Sequence, residues 1–158
     1  MKDLFVTIAI NYEILSKFQN WYEDAQANES SNPNAMALAT SSLGGLPSVR
    51  IVLMKFFDKT GLVFFTNLKS RKGNEINLNP QVSICFHWKS IDKQIRMDGV
   101  VELINKADSD EYFAKRPRES QIGAWASKQS QEMKFRADFD ARIADFTKKF
   151  EGSIVPRP

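Results

Sequence analysis

The stretch SVRIVLMKFFDKTGLVFFT, residues 48–66, decides the fold class of this chain. Its first part, from Ser48 to Phe57, is rich in β-branched and aromatic residues and predicts a long strand. The turn sequence DKTG, residues 58–61, closes a hairpin, and Leu62 to Thr66 forms the returning strand. We therefore expect a sheet built from antiparallel hairpins.

Three more predicted strands flank this hairpin and extend the sheet. They cover Ala35 to Thr40, Val82 to Trp88 and Gln94 to Ile104. We predict helices at 11–28, at 70–78 and over most of the chain from Ala107. The last helix, at about 131–150, carries an apolar stripe of Phe135, Phe139, Ile143, Phe146 and Phe150. Five strands at short spacing favour a mainly β fold with flanking helices, either an antiparallel barrel or a sandwich.

The composition narrows the class of protein. The length of 158 residues predicts a single domain, 1–158, with its barrel at about 35–104 and C-terminal helices at about 107–150. One cysteine and one histidine exclude an intrachain disulfide and a Cys/His metal site, and a reducing cytoplasm is the simplest location. We expect no membrane span and no signal peptide, and a net charge of +3 is too small to indicate nucleic-acid binding.

The two rare side chains share one predicted strand, ICFHW. We interpret Cys85 as a small buried hydrophobe and His87 as structural. One histidine without a serine in a nucleophile elbow gives no support for a Ser-His-Asp triad. Neither a GxGxxG nor a GxxxxGK(S/T) motif occurs, so dinucleotide-binding and P-loop proteins have no support.

The strongest local sign of a ligand is TNLKSRKGNEI, residues 66–76. Ser70 is a good N-cap, so Arg71 and Lys72 fall in the first turn of a helix, where the helix dipole disfavours cations. Together with Lys69 and free backbone N–H groups they would form an anion site suited to phosphate. A solvated basic turn explains the stretch equally well.

Two later segments place polar or basic residues at predicted helix starts. In YFAKRPRESQ, residues 112–121, Lys115, Arg116 and Arg118 precede Ser120 as N-cap, although a charged loop is the alternative. In SKQSQE, residues 127–132, Ser127 or Ser130 would cap the last helix. Such starts would suit a ligand with several phosphates, or two phosphorylated ligands.

Arg50 and Lys55 lie at the two ends of the apolar segment RIVLMK. Their spacing of five places them on opposite faces of a regular strand. A common site for both would require a β-bulge or a ligand that reaches around a sheet edge, and the pattern leaves this open.

Taken together, these segments resemble the pyridoxine (pyridoxamine) 5'-phosphate oxidase family. The matching stretches are NAMALAT, RIVLMK, VFFTNLKSRKGNEI, NPQVSICF and, most specifically, YFAKRPRESQIGAWASKQS, and the match runs from about Leu15 to Pro158. The resemblance implies an FMN-binding split barrel of Greek-key topology, working as a homodimer with flavin at the subunit interface.

Carried over residue by residue, the resemblance implies two sets of binding residues. The flavin contacts would be Arg50, Ile51, Val52, Leu53, Met54, Lys55, Phe65, Thr66, Arg71, Lys72 and Gln94, with Gln129 and Ser130 coming from the partner subunit. The phosphate of the substrate would be bound by Lys55, Tyr112, Arg116 and Ser120. These sets include most of the cations singled out above.

The implied reaction is oxidation of pyridoxamine 5'-phosphate or pyridoxine 5'-phosphate to pyridoxal 5'-phosphate, with FMN as cofactor and O2 as acceptor. The resemblance assigns no catalytic side chain here, and no metal. The family's C-terminal tryptophan-glycine-glycine strand and Arg-x-His-x-Arg hairpin and its N-terminal arginine-tyrosine lid do not occur in these 158 residues, and a family aspartate is Asn32 here. We therefore expect phosphate binding with impaired turnover.

Two other functions remain as alternatives. The same barrel could bind FMN or pyridoxal phosphate without catalysis. A barrel binding single-stranded nucleic acid would use Lys69, Arg71 and Lys72 with Phe64 and Phe65 as stacking platforms, but the small net charge disfavours it. A yellow purified protein would indicate flavin, and oxygen-dependent turnover of pyridoxamine 5'-phosphate would separate the oxidase from the non-catalytic binder.

Overall fold

Six strands close into an antiparallel barrel in the computed structural model, which describes residues 3–7 and 12–158. The strands are β1 (Asp3–Thr7), β2 (Ala35–Ser41), β3 (Pro47–Asp58), β4 (Gly61–Phe65), β5 (Gln81–Trp88) and β6 (Lys93–Leu103). The helices are α1 (Tyr12–Asn28), α2 (Arg71–Leu78), α3 (Lys106–Ala114), α4 (Arg118–Ala126) and α5 (Arg136–Lys149). The order around the barrel is β1-β4-β3-β2-β5-β6, so the predicted antiparallel barrel is confirmed.

β1 is a strand that the sequence analysis did not predict. It pairs with β4 from Asp3↔Phe65 to Thr7↔Gly61, and its other edge pairs with β6. Pairing on both edges makes β1 the strand that closes the barrel. Its sequence DLFVT has the composition of a strand, so a short signal was present. The first residue of the predicted helix at 11–28 lies outside the described residues, and α1 confirms the rest.

The barrel core follows from strict alternation along β2 and β5. Met36 and Leu38 of β2 and Ile84, Phe86 and Trp88 of β5 are all buried, because every second side chain of a strand faces inward. From α1, Phe18 adds its ring edge-on to Phe57 at 4.7 Å and to Phe86 at 5.6 Å. α1 therefore covers an opening of the core rather than lying free.

The same alternation corrects the interpretation of Cys85 as a small buried hydrophobe. His87 lies on the outer face of β5 and is exposed, and Cys85 on that face is only half-buried. Both have odd positions in a strand whose even positions face the core.

The predicted starts of the last two helices are wrong. α5 begins at Arg136 rather than near residue 131, and neither Ser127 nor Ser130 caps it. Ser130 has a left-handed backbone with φ of +64°, whereas an N-cap residue is extended. Ser120 lies inside α4, whose N-cap position is held by the extended Pro117.

The apolar stripe predicted for the last helix is confirmed in part. Phe135 precedes α5 and is exposed, whereas Ile143, Phe146 and Phe150 pack with Trp125 of α4. Among the helices described, none is long and apolar enough to cross a bilayer.

The path of α2 positions the candidate site. β4 and β5, which α2 connects, are separated in the barrel by β3 and β2. The helix must therefore pass these two strands, and it contacts β2. Consequently the residues of α2 meet side chains of β2 and β3 that are far from them in sequence.

Candidate functional site

The start of α2 is built as the sequence predicts. The Ser70 hydroxyl accepts a hydrogen bond from the Gly73 backbone N–H at 3.3 Å, so Ser70 is the N-cap. A Cβ on Gly73 would lie 2.4 Å from the carbonyl oxygen of Leu68, so the first turn of α2 rests directly on the backbone of the preceding loop. Arg71 and Lys72 occupy this first turn.

Lys72 is a buried cation that donates to a neutral amide. The residue is 8% exposed, and its Nζ donates to Gln129 Oε1 at 3.2 Å; the same oxygen lies 3.4 Å from the Thr66 hydroxyl. Within residues 12–158 no carboxylate is within ion-pair distance of Lys72. Burial, and then the charge of Arg50, lower the pKa of Lys72. An anion at this helix start would compensate the buried charge.

Glu75 joins the cations of β3 and α2, and the sequence analysis did not single it out. Its carboxylate accepts from Arg71 Nε at 2.8 Å and lies 3.5 Å from Arg50 Nη2. Burial raises the pKa of Glu75, but hydrogen bonds from Ser48, Thr40 and Arg71 and the charge of Arg71 outweigh it, so the pKa falls to about 2. The Arg-Glu spacing of four on a helix was the only signal for this pair.

An open groove of about 450 Å³ runs along this cluster. Its lining includes Lys69, Arg71, Glu75 and Ser130. A groove of about 530 Å³ lies at the C-terminal end of α5, but Arg118 there already donates to the carbonyls of Phe150 and Ser153. The smaller groove is therefore the better candidate for an anionic ligand.

A second cationic group combines Lys55, which lies where β3 is irregular, with the charge of Arg116. The β3–β4 register shifts between Met54 and Phe56, so Lys55 is the extra residue of a β-bulge. Burial, and then the nearby charge of Arg116, lower the pKa of Lys55. The β-bulge that a common site for Arg50 and Lys55 would require is thus present. Arg50 nevertheless contacts the α2 cluster and not Lys55.

The other cations of the YFAKRPRESQ segment are engaged elsewhere. Lys115 pairs with Glu111 at 2.6 Å, and Arg118 holds the carbonyls at the end of α5. Arg116 is therefore the cation of this segment whose charge acts on Lys55 and lowers its pKa.

The end of β4 contacts two segments that lie later in the chain. The ring of Phe65 stacks on Tyr112 with a centroid distance of 3.5 Å, and the adjacent Thr66 contacts Gln129 beside Lys72. Consecutive residues therefore contact Tyr112 of α3 on one side and Gln129 on the other. Phe64 is fully buried, so the hypothesis that Phe64 and Phe65 offer stacking platforms to nucleic acid is wrong.

The structure does not bring every predicted site residue to these clusters. The side chains of Ile51 and Leu53 lie on the outer face of β3, whereas Val52 and Met54 belong to the core. Gln94 is exposed on β6, three strands from β3 in either direction around the barrel.

Gln129 differs from the expectation in another way. The resemblance implied that it comes from the partner subunit, yet it contacts Lys72 and Thr66 of its own chain. A single chain is therefore enough to place Gln129 at this cluster.

Comparison with known proteins agrees with this arrangement. Residues 22–149 match the family described as "Pyridoxamine 5'-phosphate oxidase". A protein of Sphingopyxis alaskensis named "Pyridoxine/pyridoxamine 5'-phosphate oxidase" is 48% identical over 153 residues, which are 97% of this chain and 71% of the relative. A protein of Rhodopseudomonas palustris with the same name is 49% identical over 146 residues, covering 92% of this chain and 68% of the relative.

Solved structures share the fold. PhzG from Burkholderia lata, crystallised in complex with tetrahydrophenazine-1-carboxylic acid, superposes with a TM-score of 0.84 at 27% identity, covering 91% of this chain and 70% of its own. A Nostoc punctiforme protein described as pyridoxamine 5'-phosphate oxidase-related and FMN binding has a TM-score of 0.66 at 20% identity. The match covers 79% of this chain and 68% of the Nostoc chain. At that identity the second likeness concerns the fold alone.

Proposed function

Because this chain belongs to the pyridoxamine 5'-phosphate oxidase family, we propose that it is an FMN-dependent oxidase of pyridoxamine 5'-phosphate or pyridoxine 5'-phosphate that forms pyridoxal 5'-phosphate with O2 as acceptor. The observation that carries the proposal is the buried Lys72 ammonium at the capped start of α2, which has a neutral amide as its partner. A phosphate bound there would supply the missing negative charge.

The donors around Lys72 fit the phosphate of FMN. Arg71 and Lys72 offer charged donors, Thr66 offers a hydroxyl, and the first N–H groups of a helix lack acceptors within the helix. Gln129 contacts Lys72 and Ser130 lines the groove, and both would complete the set. When bound, FMN would supply the two-electron oxidation of the amine or alcohol carbon of the substrate.

The second cluster suits the phosphate of the substrate. Lys55 and Arg116 raise the local positive charge, and we assign Tyr112 and Ser120 to the same phosphate. Phe65 stacks on the assigned Tyr112 and the adjacent Thr66 lies beside Lys72, which supports two phosphorylated ligands held side by side. The role of these side chains is to position the reacting groups, which can account for a large part of a rate enhancement.

We further propose that the protein acts as a homodimer through the outer face of β3. Val49, Ile51 and Leu53 are exposed there, at 68%, 65% and 36%, beside the small alanines of β2. Such an apolar stripe on a sheet is typical of an interface. A second chain packed on this face would also explain how Gln94 could contact a flavin. The cytoplasmic location stays a prediction from the cysteine count.

Flavin binding and turnover test this function separately. We expect the purified chain to bind FMN, seen as quenching of flavin fluorescence, and to release peroxide slowly from pyridoxamine 5'-phosphate under air. Absence of FMN binding would refute the proposal. FMN binding without peroxide release would instead support the alternative of a non-catalytic flavin or pyridoxal phosphate binder.

A further inference from the structure

Glu75 connects the two arginines of the proposed flavin-phosphate site. Its Oε2 accepts hydrogen bonds from the hydroxyls of Thr40 at 2.5 Å and Ser48 at 2.6 Å, and its Oε1 accepts from Arg71 Nε at 2.8 Å. The Glu75 side chain is 9% exposed. A buried carboxylate with this many donors is fixed in one orientation, and it fixes its partners.

Arg50 is largely occupied within this network. Its Nη1 donates to the Leu38 carbonyl at 3.1 Å and to Thr40 Oγ1 at 2.6 Å, and its Nη2 donates to Ser48 Oγ at 2.5 Å and to Glu75 at 3.5 Å. The four terminal N–H groups thus have acceptors, which leaves Nε–H as the one donor for a ligand. Arg50 therefore mainly holds Glu75 in place and has little capacity left to bind a phosphate.

Arg71 has the opposite distribution of contacts. Its Nε donates to Glu75, while Nη1 and Nη2 contact no acceptor in residues 12–158, and the side chain is 56% exposed at the groove. Both terminal nitrogens are thus available to a phosphate, the arrangement in which arginine binds two oxygens at once. Glu75 prevents the long side chain from sampling other orientations.

Glu75 also adjusts the charge of the site. Arg50, Arg71, Lys72 and the groove-lining Lys69 contribute four positive charges, and the one carboxylate of Glu75 lowers the net charge to +3. A phosphate monoester carries about −1.5 to −2 at neutral pH, so Glu75 brings the charge of the cluster closer to that of its ligand.

We propose that Glu75 is the positioning residue of the flavin-phosphate site, because it holds Arg71 with its terminal N–H groups free for the phosphate and reduces the excess positive charge of the cluster. This inference rests on the proposed function, in which FMN is the ligand.

The test compares FMN with riboflavin, which has the same ring system but no phosphate. Flavin fluorescence quenching gives both affinities for the unchanged chain, for Glu75→Gln and for the control Glu111→Gln, whose carboxylate pairs with Lys115 at the exposed surface of α3. We expect Glu75→Gln to weaken FMN binding by about tenfold or more with riboflavin affinity unchanged. The control should change neither affinity.

Each result decides between the alternatives. An unchanged FMN affinity in Glu75→Gln would overturn the proposal, and so would an equal loss for FMN and riboflavin, which would indicate a purely structural role. If Glu75→Gln does not fold, Arg71→Lys, at an exposed position, provides the test. Lysine keeps the positive charge but lacks the paired N–H donors of a guanidinium, so we expect about tenfold weaker FMN binding, and unchanged binding would overturn the proposal. An unchanged chain without FMN affinity would refute the proposed function itself, and this inference with it.

Discussion

Replacing Lys72 with methionine should move stability and FMN affinity in opposite directions. The ammonium is buried at the positive end of α2, and its acceptor is the neutral amide of Gln129. Methionine has a similar length and no charge to desolvate. Since exchanging a poorly compensated buried charge for an apolar side chain is often stabilising, we expect the free energy of unfolding without FMN to rise by about 1–2 kcal/mol.

FMN binding by Lys72→Met should weaken because the phosphate loses a charged donor. A hydrogen bond to a charged group contributes about 1.5–3 kcal/mol, which corresponds to roughly tenfold to hundredfold in affinity. At an FMN concentration of about 100 times the Kd of the unchanged chain, FMN should stabilise that chain by about 2.7 kcal/mol but the variant by only about 0.4–1.4 kcal/mol.

Urea unfolding with and without FMN, followed by tryptophan fluorescence, measures both effects. Lys59→Met in the exposed β3–β4 turn is the matched control and should leave stability and FMN affinity unchanged. A Lys72→Met variant that is less stable than the unchanged chain, or that binds FMN equally well, would show that Lys72 is a structural cation and that the anion site is misplaced.

Three further predictions concern the other groups. The pKa of Glu75 is about 2 in the folded protein and 4.5 as the reference value, so its charged form contributes roughly 3 kcal/mol to stability above about pH 4.5, and this is lost as the pH falls towards 2. Urea unfolding should therefore show the stability difference between the unchanged chain and Glu75→Gln shrinking below about pH 5, and a constant difference would contradict this prediction. Lys55→Met should weaken pyridoxal 5'-phosphate binding, measured by fluorescence, by about tenfold to hundredfold, and FMN binding by less because Lys55 is only one of many expected flavin contacts; an equal loss of both would mean that the clusters are not separate sites. Ile51→Lys on the outer face of β3 should convert a dimer of about 36 kDa, twice the 18.0 kDa chain, to a monomer in sedimentation, and an unchanged chain that is already monomeric would refute the proposed interface.

The features that the sequence predicted correctly are those with local causes. The hairpin of β3 and β4 follows from strand composition on both sides of a four-residue turn, and Ser70 caps α2 through a hydrogen bond that spans three residues. The start of α5 was misplaced because serines near a helix are only potential caps. Whether Ser130 can cap depends on its backbone, and its φ of +64° is set by the surrounding loop.

The part of the site that could not be predicted depends on the barrel topology. Thr40, Ser48 and Glu75 meet because α2 passes β3 and β2 on its way from β4 to β5, and no spacing in the sequence encodes that path. The effect of Arg116 on Lys55 likewise depends on the bulge in β3, because the side chains of a regular strand would point to alternate faces of the sheet at this position. Register and strand order, rather than residue type, select which cations share a site.

The two clusters also differ in how they are balanced before any ligand binds. The α2 cluster contains its own carboxylate, so Arg50 and Arg71 are already paired and ordered. Lys55 and Arg116, in contrast, form no ion pair within residues 12–158, and the charge of Arg116 contributes to the lowered pKa of Lys55. A preordered site loses little entropy on binding and favours retention, whereas a site of repelling cations gains most from its anion and can relax when the anion leaves. Under the proposed function, this difference fits a cofactor that stays bound beside a substrate that must exchange at every turnover.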